Sequence, residues 1–178
     1  MSTVIDGSAS VTINSGAILG ITSGTAVAST SGTSIDFTSI PSWVKRITVM
    51  FSGVSASGTS DPVIVLGTGA TPSYASSGYA GIYITQAGGF FANLSAYFRI
   101  SGLSSASATM YGTATFTLLT GNTWVCNSAT GNGSSSAANQ ASYCQGSIAL
   151  SGALTAVRIT TVNGTDTFDA GSVNILYE

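Results

Sequence analysis

Apolar and polar residues alternate with a period of two through most of the chain. The clearest stretch covers residues 46–54, where Ile47, Val49 and Phe51 share one face and mostly polar residues occupy the other. Residues 108–119 repeat the pattern, since their even-numbered positions are mostly apolar and stand against a row of threonines. A period of two places successive side chains on opposite faces of an extended strand. Both stretches are therefore predicted to be half-buried β-strands.

Shorter stretches predict further strands, and turn residues separate them. Pro41-Ser42 and Asn163-Gly164 are turn dipeptides that stand between alternating segments. No segment shows the 3.6-residue period of an amphipathic helix. We therefore expect an all-β fold of roughly eight to ten short strands, arranged as an antiparallel β-sandwich or jelly roll. The further strands are predicted at 35–40, 62–67, 79–86, 94–100, 122–127, 145–151, 157–162 and 172–178.

Residues 1–34 differ in composition from the rest of the chain. They consist largely of Ser, Thr, Gly, Ala, Val and Ile, and they include no aromatic residue. Val11 and Ile13 give only a weak strand signal, and the segment could not build a hydrophobic core alone. We expect a short extended N-terminal arm or stalk over residues 1–34 and a β-sandwich module over residues 35–178.

The chain carries little charge but is rich in apolar residues. Only 6% of its residues are charged, 44% are hydrophobic and the net charge is −2, whereas an average soluble domain is about 25% charged. A chain this apolar is not expected to be disordered, and its apolar runs are too short for a membrane span. Four basic residues are too few to neutralise a run of phosphates, which argues against nucleic acid as a partner. So few surface charges favour association, so we expect an obligate assembly of like subunits.

Two segments of the sandwich module are similar to segments of known proteins. Residues 40–51 read Ile-Pro-Ser-Trp-Val-Lys-Arg-Ile-Thr-Val-Met-Phe, and residues 168–175 read Phe-Asp-Ala-Gly-Ser-Val-Asn-Ile. They resemble the segments that open and close a C-terminal β module in bacteriophage tail-fibre and related virion proteins. The resemblance covers residues 32–178. It implies a virion surface protein, usually homotrimeric and often placed for host recognition, whose arm contacts other proteins of the tail, neck or capsid.

The segment before the module is short, so a purely structural role on the virion remains an alternative to a host-binding tail fibre. Long tail fibres carry an extended stalk ahead of this module, whereas here only residues 1–31 precede it. A capsid decoration protein, a head fibre or a short spike needs only a brief anchoring arm, so a purely structural role is the alternative to host binding. The first residues lack the basic region of a secretory signal. That fits a protein made in the host cytoplasm and located on the surface of the phage particle after lysis.

The chain offers little for catalysis or metal binding. It has no histidine, which excludes the Ser-His-Asp triad and metal sites built on imidazole. Asp166 and Asp169 are close in sequence, but they flank a turn, where aspartates commonly cap their own backbone rather than act as a glycosidase pair. The sequence contains no dense acidic loop for Ca²⁺ and no phosphate-binding glycine loop. We expect no enzymatic activity, no cofactor and no metal.

The two cysteines, Cys126 and Cys144, leave two alternatives open. A disulfide between them would close a loop and stabilise the fold by about 3 kcal/mol. A phage protein folded in reducing cytoplasm would instead keep two free thiols. Two thiolates without histidine make at most half of a zinc site.

Aromatic rings and polar side chains give the expected binding chemistry. Sugars pack on aromatic faces and hydrogen-bond to hydroxyl and amide groups, which this chain has in abundance. Residues 127–143 contain no apolar run and are predicted to form a long loop, either a host-contact tip or a solvated connection. Trp43 is expected in the core or at a subunit interface, and Trp124 either in the core or at the sugar site. The candidate residues for binding a host surface polysaccharide are Tyr74, Tyr79, Tyr83, Trp124 and Tyr143.

Overall fold

In a computed structural model the chain folds almost entirely as β-strands. The structure describes residues 11–13, 16–18, 20–86, 90–103, 105–134 and 137–178. No helix occurs among them, and hence none that is long and apolar enough to cross a membrane. The strands of this part of the chain are β1 (Val11–Ile13), β2 (Gly16–Ile18), β3 (Thr22–Ser23), β4 (Val27–Ala28), β5 (Ser34–Phe37), β6 (Arg46–Ala56), β7 (Pro62–Thr68), β8 (Ser73–Tyr74), β9 (Tyr79–Thr85), β10 (Phe90–Asn93), β11 (Phe98–Arg99), β12 (Thr109–Thr120), β13 (Thr123–Ser134), β14 (Ala137–Ala149), β15 (Leu154–Thr161) and β16 (Phe168–Tyr177).

The strands form two antiparallel sheets that pack against each other. The large sheet has the order β10-β9-β14-β13-β12-β6-β16-β3, with β4 also paired to β16. The small sheet has the order β11-β7-β15-β5, with β8 paired to β7. β1 and β2 form a separate hairpin. The predicted all-β sandwich is confirmed, whereas the jelly-roll connectivity stays a prediction.

The core lies between the two sheets, and it accounts for the alternating pattern of the sequence. Ile47 and Phe51 of β6 point into it and are buried, as predicted. The centre of the Phe98 ring lies 5.4 Å from that of Phe116 and 4.9 Å from that of Tyr79. Burial of one such side chain stabilises the fold by roughly 1.5–3 kcal/mol. The inward rows of both sheets therefore hold the sandwich together.

Residues 20–33 run along the outer edge of β16. Both β3 and β4 pair antiparallel with that strand, and their side chains are exposed. Ser29 is fully buried there, and its amide donates to the carbonyl of Gly171 at 3.0 Å. This part of the predicted arm thus docks on the sandwich mainly through its backbone. Residues 1–10 lie outside the described residues, and the division of the chain after residue 34 stays a prediction.

The strand predicted at residues 94–100 is wrong in extent. Only Phe98–Arg99 pairs with a neighbour, on β7, and the residues before it bend. Phe98 and Ile100 are nevertheless fully buried. The alternation therefore predicted correctly which side chains are buried. The segment that carries them is mostly irregular rather than a strand.

The loop predicted over residues 127–143 is also wrong, because this segment forms most of the long hairpin of β13 and β14. The two strands pair along nearly their whole length. Two of their inward polar side chains reach backbone carbonyls: the Thr130 hydroxyl donates to the carbonyl of Ile100, and the Asn132 amide donates to the carbonyl of Gly102. The Ser128 hydroxyl and the Asn132 Oδ1 are buried without a hydrogen-bond partner among the described residues. Paired polar groups can be buried at little cost in free energy. The hairpin therefore forms without an apolar alternation.

Candidate functional site

The five aromatic residues predicted to bind sugar do not lie together. Tyr79, Tyr83 and Trp124 are buried, with 4%, 1% and 3% of their surfaces exposed. A sugar packs on an open ring face, so the prediction is corrected for Tyr79 and Tyr83, and Trp124 takes the core position that was its alternative. Tyr74 is half-buried on the small sheet, whereas Tyr143 is exposed on the large sheet.

Hydrogen bonds explain why two tyrosines are buried. The Tyr79 hydroxyl accepts a hydrogen bond from the amide of Leu66 at 3.1 Å and donates to the carbonyl of Ala75 at 3.2 Å. The Tyr83 hydroxyl shares a hydrogen bond of 3.1 Å with the Ser142 hydroxyl. Removal from water raises the pKa of Tyr79 to about 12. Both rings therefore serve the core, with satisfied hydroxyl groups.

The cysteines are buried free thiols in this structure, which is the second of the two alternatives left open by the sequence. Strand pairing places Cys126 opposite Gly146 and Cys144 opposite Ser128, so the two thiols are diagonal neighbours. The Cα atoms of diagonal positions on paired strands are about 7–8 Å apart. This is more than the Cα–Cα distance that an unstrained disulfide spans. A hydrogen bond with Cys144, together with burial, raises the pKa of the Cys126 thiol. That thiol therefore stays protonated and unreactive at neutral pH.

Tyr143 projects from the outer face of the large sheet, where it is 43% exposed. Tyr111 on β12 points to the same side and is 53% exposed, and the sequence analysis did not single it out. Strand pairing places the small residues Ala129 and Gly131 of β13 beside these two tyrosines. The two rings therefore stand on the outer face of the sheet with only small side chains between them.

Tyr74 belongs to a cluster on the outer face of the small sheet. Arg158 on β15 pairs directly with Asp36 on β5 and donates to it from Nε and from Nη2, with both distances 2.7 Å. The guanidinium carbon of Arg158 lies 4.1 Å from the centre of the Tyr74 ring, a cation–π contact. Burial, aided by the Asp36 carboxylate, raises the pKa of the Tyr74 hydroxyl. The hydroxyl is therefore protonated at neutral pH, and it is hydrogen-bonded to Asp36.

A groove of about 390 Å³ lies beside this cluster. Its apolar lining includes Val65 and Ala96, and hydroxyl groups border it. A second aromatic residue, the half-buried Tyr97, also lines the groove. Tyr97 was not among the candidates taken from the sequence. Mostly apolar concavities of about 300–1,000 Å³ with a few polar groups are typical of small-molecule sites, which makes this groove the candidate functional site.

The acidic residues near the last turn bind neighbouring segments rather than cap their own backbone. The Asp166 carboxylate accepts hydrogen bonds from the amide of Ser60 at 3.0 Å and from the Asn163 side chain at 2.7 Å. The Asp169 carboxylate accepts one from the Ser55 hydroxyl. Within the described residues no three potential metal ligands come together.

Comparison with known proteins supplies no relative from which a function could be transferred. No protein family, curated protein or solved structure matches the chain. The features that bear on function are therefore the geometry of the groove and the two segments at residues 40–51 and 168–175.

Proposed function

We propose that this chain is a structural protein of a bacteriophage particle, a homotrimeric fibre or spike subunit that binds a glycan on the host surface. The N-terminal arm attaches it to other virion proteins of the tail, neck or capsid. The β-sandwich faces outward and makes the host contact.

The observation that carries this proposal is the pairing of the two segments that resemble phage fibre proteins. Although they lie far apart in the sequence, they form the neighbouring strands β6 and β16 of the large sheet. Phe51 stands opposite Val173, and Val49 stands opposite Ile175. Both resemblances thus belong to one structural unit, as expected of segments that open and close one module.

Contacts at the end of the sheet join the same two segments. The amides of Lys45 and Arg46 donate to the carbonyl of Glu178 at 2.7 and 2.8 Å. The Arg46 Nε also donates to the Glu178 carboxylate at 2.6 Å. Trp43 packs edge-on against Tyr177, with ring centres 6.2 Å apart, and is half-buried there. Residues 43–46, at the opening segment, therefore contact the last two residues, which follow the closing segment. These contacts support the proposal that the two segments belong to one module.

Adsorption competition tests the proposed host contact. Host cells are incubated with the purified protein before the source phage is added, and the rate of phage adsorption is measured. We expect adsorption to fall as the protein concentration rises and to level off when the receptors are occupied. Heat-unfolded protein is the control, and adsorption that stays unchanged at saturating protein would contradict host binding.

The alternative role, capsid decoration without host contact, gives a different result in the same experiment. A decoration protein would leave adsorption unchanged but would still be incorporated into particles through its arm. Deletion of residues 1–19 keeps the pairing of β3 and β4 with β16 and removes the rest of the arm. We expect this truncated protein to compete for adsorption but not to be incorporated, and incorporation at the normal level would contradict attachment through the arm.

A further inference from the structure

We propose that the groove on the outer face of the small sheet binds an uncharged oligosaccharide. This inference rests on the proposed glycan binding and adds the site and the class of sugar. The groove combines the features that a sugar needs: an apolar surface, aromatic rings and hydroxyl groups within one concavity.

The apolar side of a sugar ring is matched by the lining of the groove. Val65 and Ala96 contribute aliphatic surface, while Tyr97 and Tyr74 contribute rings. Tyr74 is held in place, because the Arg158 guanidinium lies over its ring and the backbone of Gly67 approaches it closely. Tyr97 has no comparable cation over its ring among the described contacts, which makes it the better stacking surface.

Hydroxyl groups at the border of the groove match the polar edge of a sugar. The Thr160 hydroxyl donates to the carbonyl of Thr33 at 2.8 Å, so its lone pairs remain to accept hydrogen bonds from sugar hydroxyls. Ser34 lies at the same border. The Tyr74 hydroxyl is already hydrogen-bonded to Asp36, so the Ser34 hydroxyl supplies the donor. Donors and acceptors are thus both present, which suits a ligand whose own hydroxyl groups donate and accept.

The charge of the groove selects against acidic sugars. Arg158 is its one charged lining residue among those described, and two hydrogen bonds pair it with Asp36. A carboxylated sugar would have to compete with Asp36 for the guanidinium, inside a protein whose net charge is already −2. A neutral sugar meets no such competition. The paired charges therefore position Tyr74 and leave the groove without net charge.

Glycan-array binding with two tyrosine variants tests the location of the site. The probes are immobilised neutral oligosaccharides of glucose, galactose and mannose, together with polygalacturonate and polysialic acid as acidic probes. We expect the wild-type protein to bind at least one neutral probe and Tyr97→Ala to weaken that binding by about tenfold or more. Tyr143→Ala removes an exposed tyrosine from the other sheet and should leave binding unchanged. Thermal unfolding and native mass spectrometry confirm that both variants are folded and keep the assembly of the wild type.

A second variant tests the class of sugar. Asp36→Asn removes the carboxylate and leaves the positive charge of Arg158, so we expect it to gain binding to polygalacturonate or polysialic acid that the wild type lacks. Wild-type binding to the neutral probe should be the same at low and high salt. Salt weakens the attraction between exposed charges, and a neutral sugar contributes no charge to such an attraction.

The possible outcomes distinguish a wrong location of the site from a wrong function. Loss of neutral binding in Tyr143→Ala but not in Tyr97→Ala would keep glycan binding and overturn the groove. Wild-type binding to acidic probes alone would keep the function and overturn the neutral class. Binding to none of the probes, together with unchanged adsorption in the competition experiment, would overturn the proposed host contact as well.

Discussion

At the residue scale, specific hydrogen-bond partners hold the buried hydroxyl groups. Tyr79 shows how such a position changes the pKa of the hydroxyl. Its hydroxyl joins the amide of Leu66 on β7 to the carbonyl of Ala75, which follows β8. The pKa of Tyr79 is raised from its usual value of 10.0 to about 12, chiefly because the ring is removed from water. One phenol thus ties a short edge strand to the small sheet and titrates only in strong alkali.

We expect Tyr79→Phe to lower the free energy of unfolding by about 1–3 kcal/mol at neutral pH, because the Leu66 amide loses its partner. A pKa that is higher in the folded state gives stability that is complete below pH 10.0 and is lost as the pH rises to about 12. The difference between wild type and variant should therefore shrink across that range. Urea unfolding at a series of alkaline pH values measures it, and a difference that stays constant would contradict this account.

Two glycines with nearly the same φ angle allow the effect of backbone strain to be separated from the effect of a steric clash. Gly171 has a φ of +89°, and a Cβ there would clash with the carbonyl group of Gly53 on β6. Gly78 has a φ of +84°, but a Cβ there would meet no atom within 4 Å. We expect Gly171→Ala to destabilise the protein by about 1–3 kcal/mol more than Gly78→Ala. Equal losses in thermal or urea unfolding would show that β6 and β16 do not need this close approach.

At the element scale, the segment that contains β3 and β4 covers the edge of β16. An uncovered edge strand presents unpaired backbone groups to other chains and invites aggregation. Here the amide of Gly24 donates to the carbonyl of Ile175 at 2.7 Å, and the Ser29 hydroxyl donates to the carbonyl of Ala170 at 2.7 Å. Ser29 is the fully buried side chain of this segment and fixes its position.

Substitution of Ser29 by alanine should loosen this segment without affecting the sandwich. Loss of one hydrogen bond, worth about 1 kcal/mol, should speed hydrogen exchange of the backbone amides at positions 24 and 29 by roughly fivefold. Exchange at Ile159 on β15 should stay the same. Ser31→Ala changes an exposed serine and is the matched control. Identical exchange in the two variants would show that Ser29 does not hold the segment in place.

The elements also show how far the sequence determines the fold. The strand around Ile47 and Phe51 was predictable because its buried side chains are large and its turns carry Pro or Gly. The hairpin of β13 and β14 was not, since Thr130 and Asn132 are buried against carbonyls of residues 100 and 102, and such partners cannot be read from a local pattern. The groove shares this limit, because the fold rather than the spacing brings Tyr97 near Tyr74.

At the scale of the whole molecule, charge is scarce and mostly paired. Three of the four basic residues form ion pairs, namely Arg46 with Glu178, Arg99 with Asp61 and Arg158 with Asp36. The outer face of the large sheet exposes apolar side chains that include Ile82, Tyr111, Val125 and Tyr143. Few unpaired charges and an exposed apolar face are expected of a subunit that associates with copies of itself.

Native mass spectrometry of the purified protein tests this expectation. We expect a dominant species of three times the 17.7 kDa chain mass. Because the association depends on apolar and hydrogen-bonding surfaces, light scattering should give the same size at low and high salt. A stable monomer at micromolar concentration would contradict the proposed trimer.

The location of the chain on the particle tests the account most directly. Intact particles of the phage proposed to carry this chain are labelled with gold-conjugated antibodies raised against the purified protein and are viewed by electron microscopy. We expect gold at a regular external position, on fibres, spikes or the capsid surface, and no gold on particles from a mutant phage that lacks the gene. Unlabelled wild-type particles, under conditions in which the same antibodies bind the purified protein, would contradict a role on the virion surface.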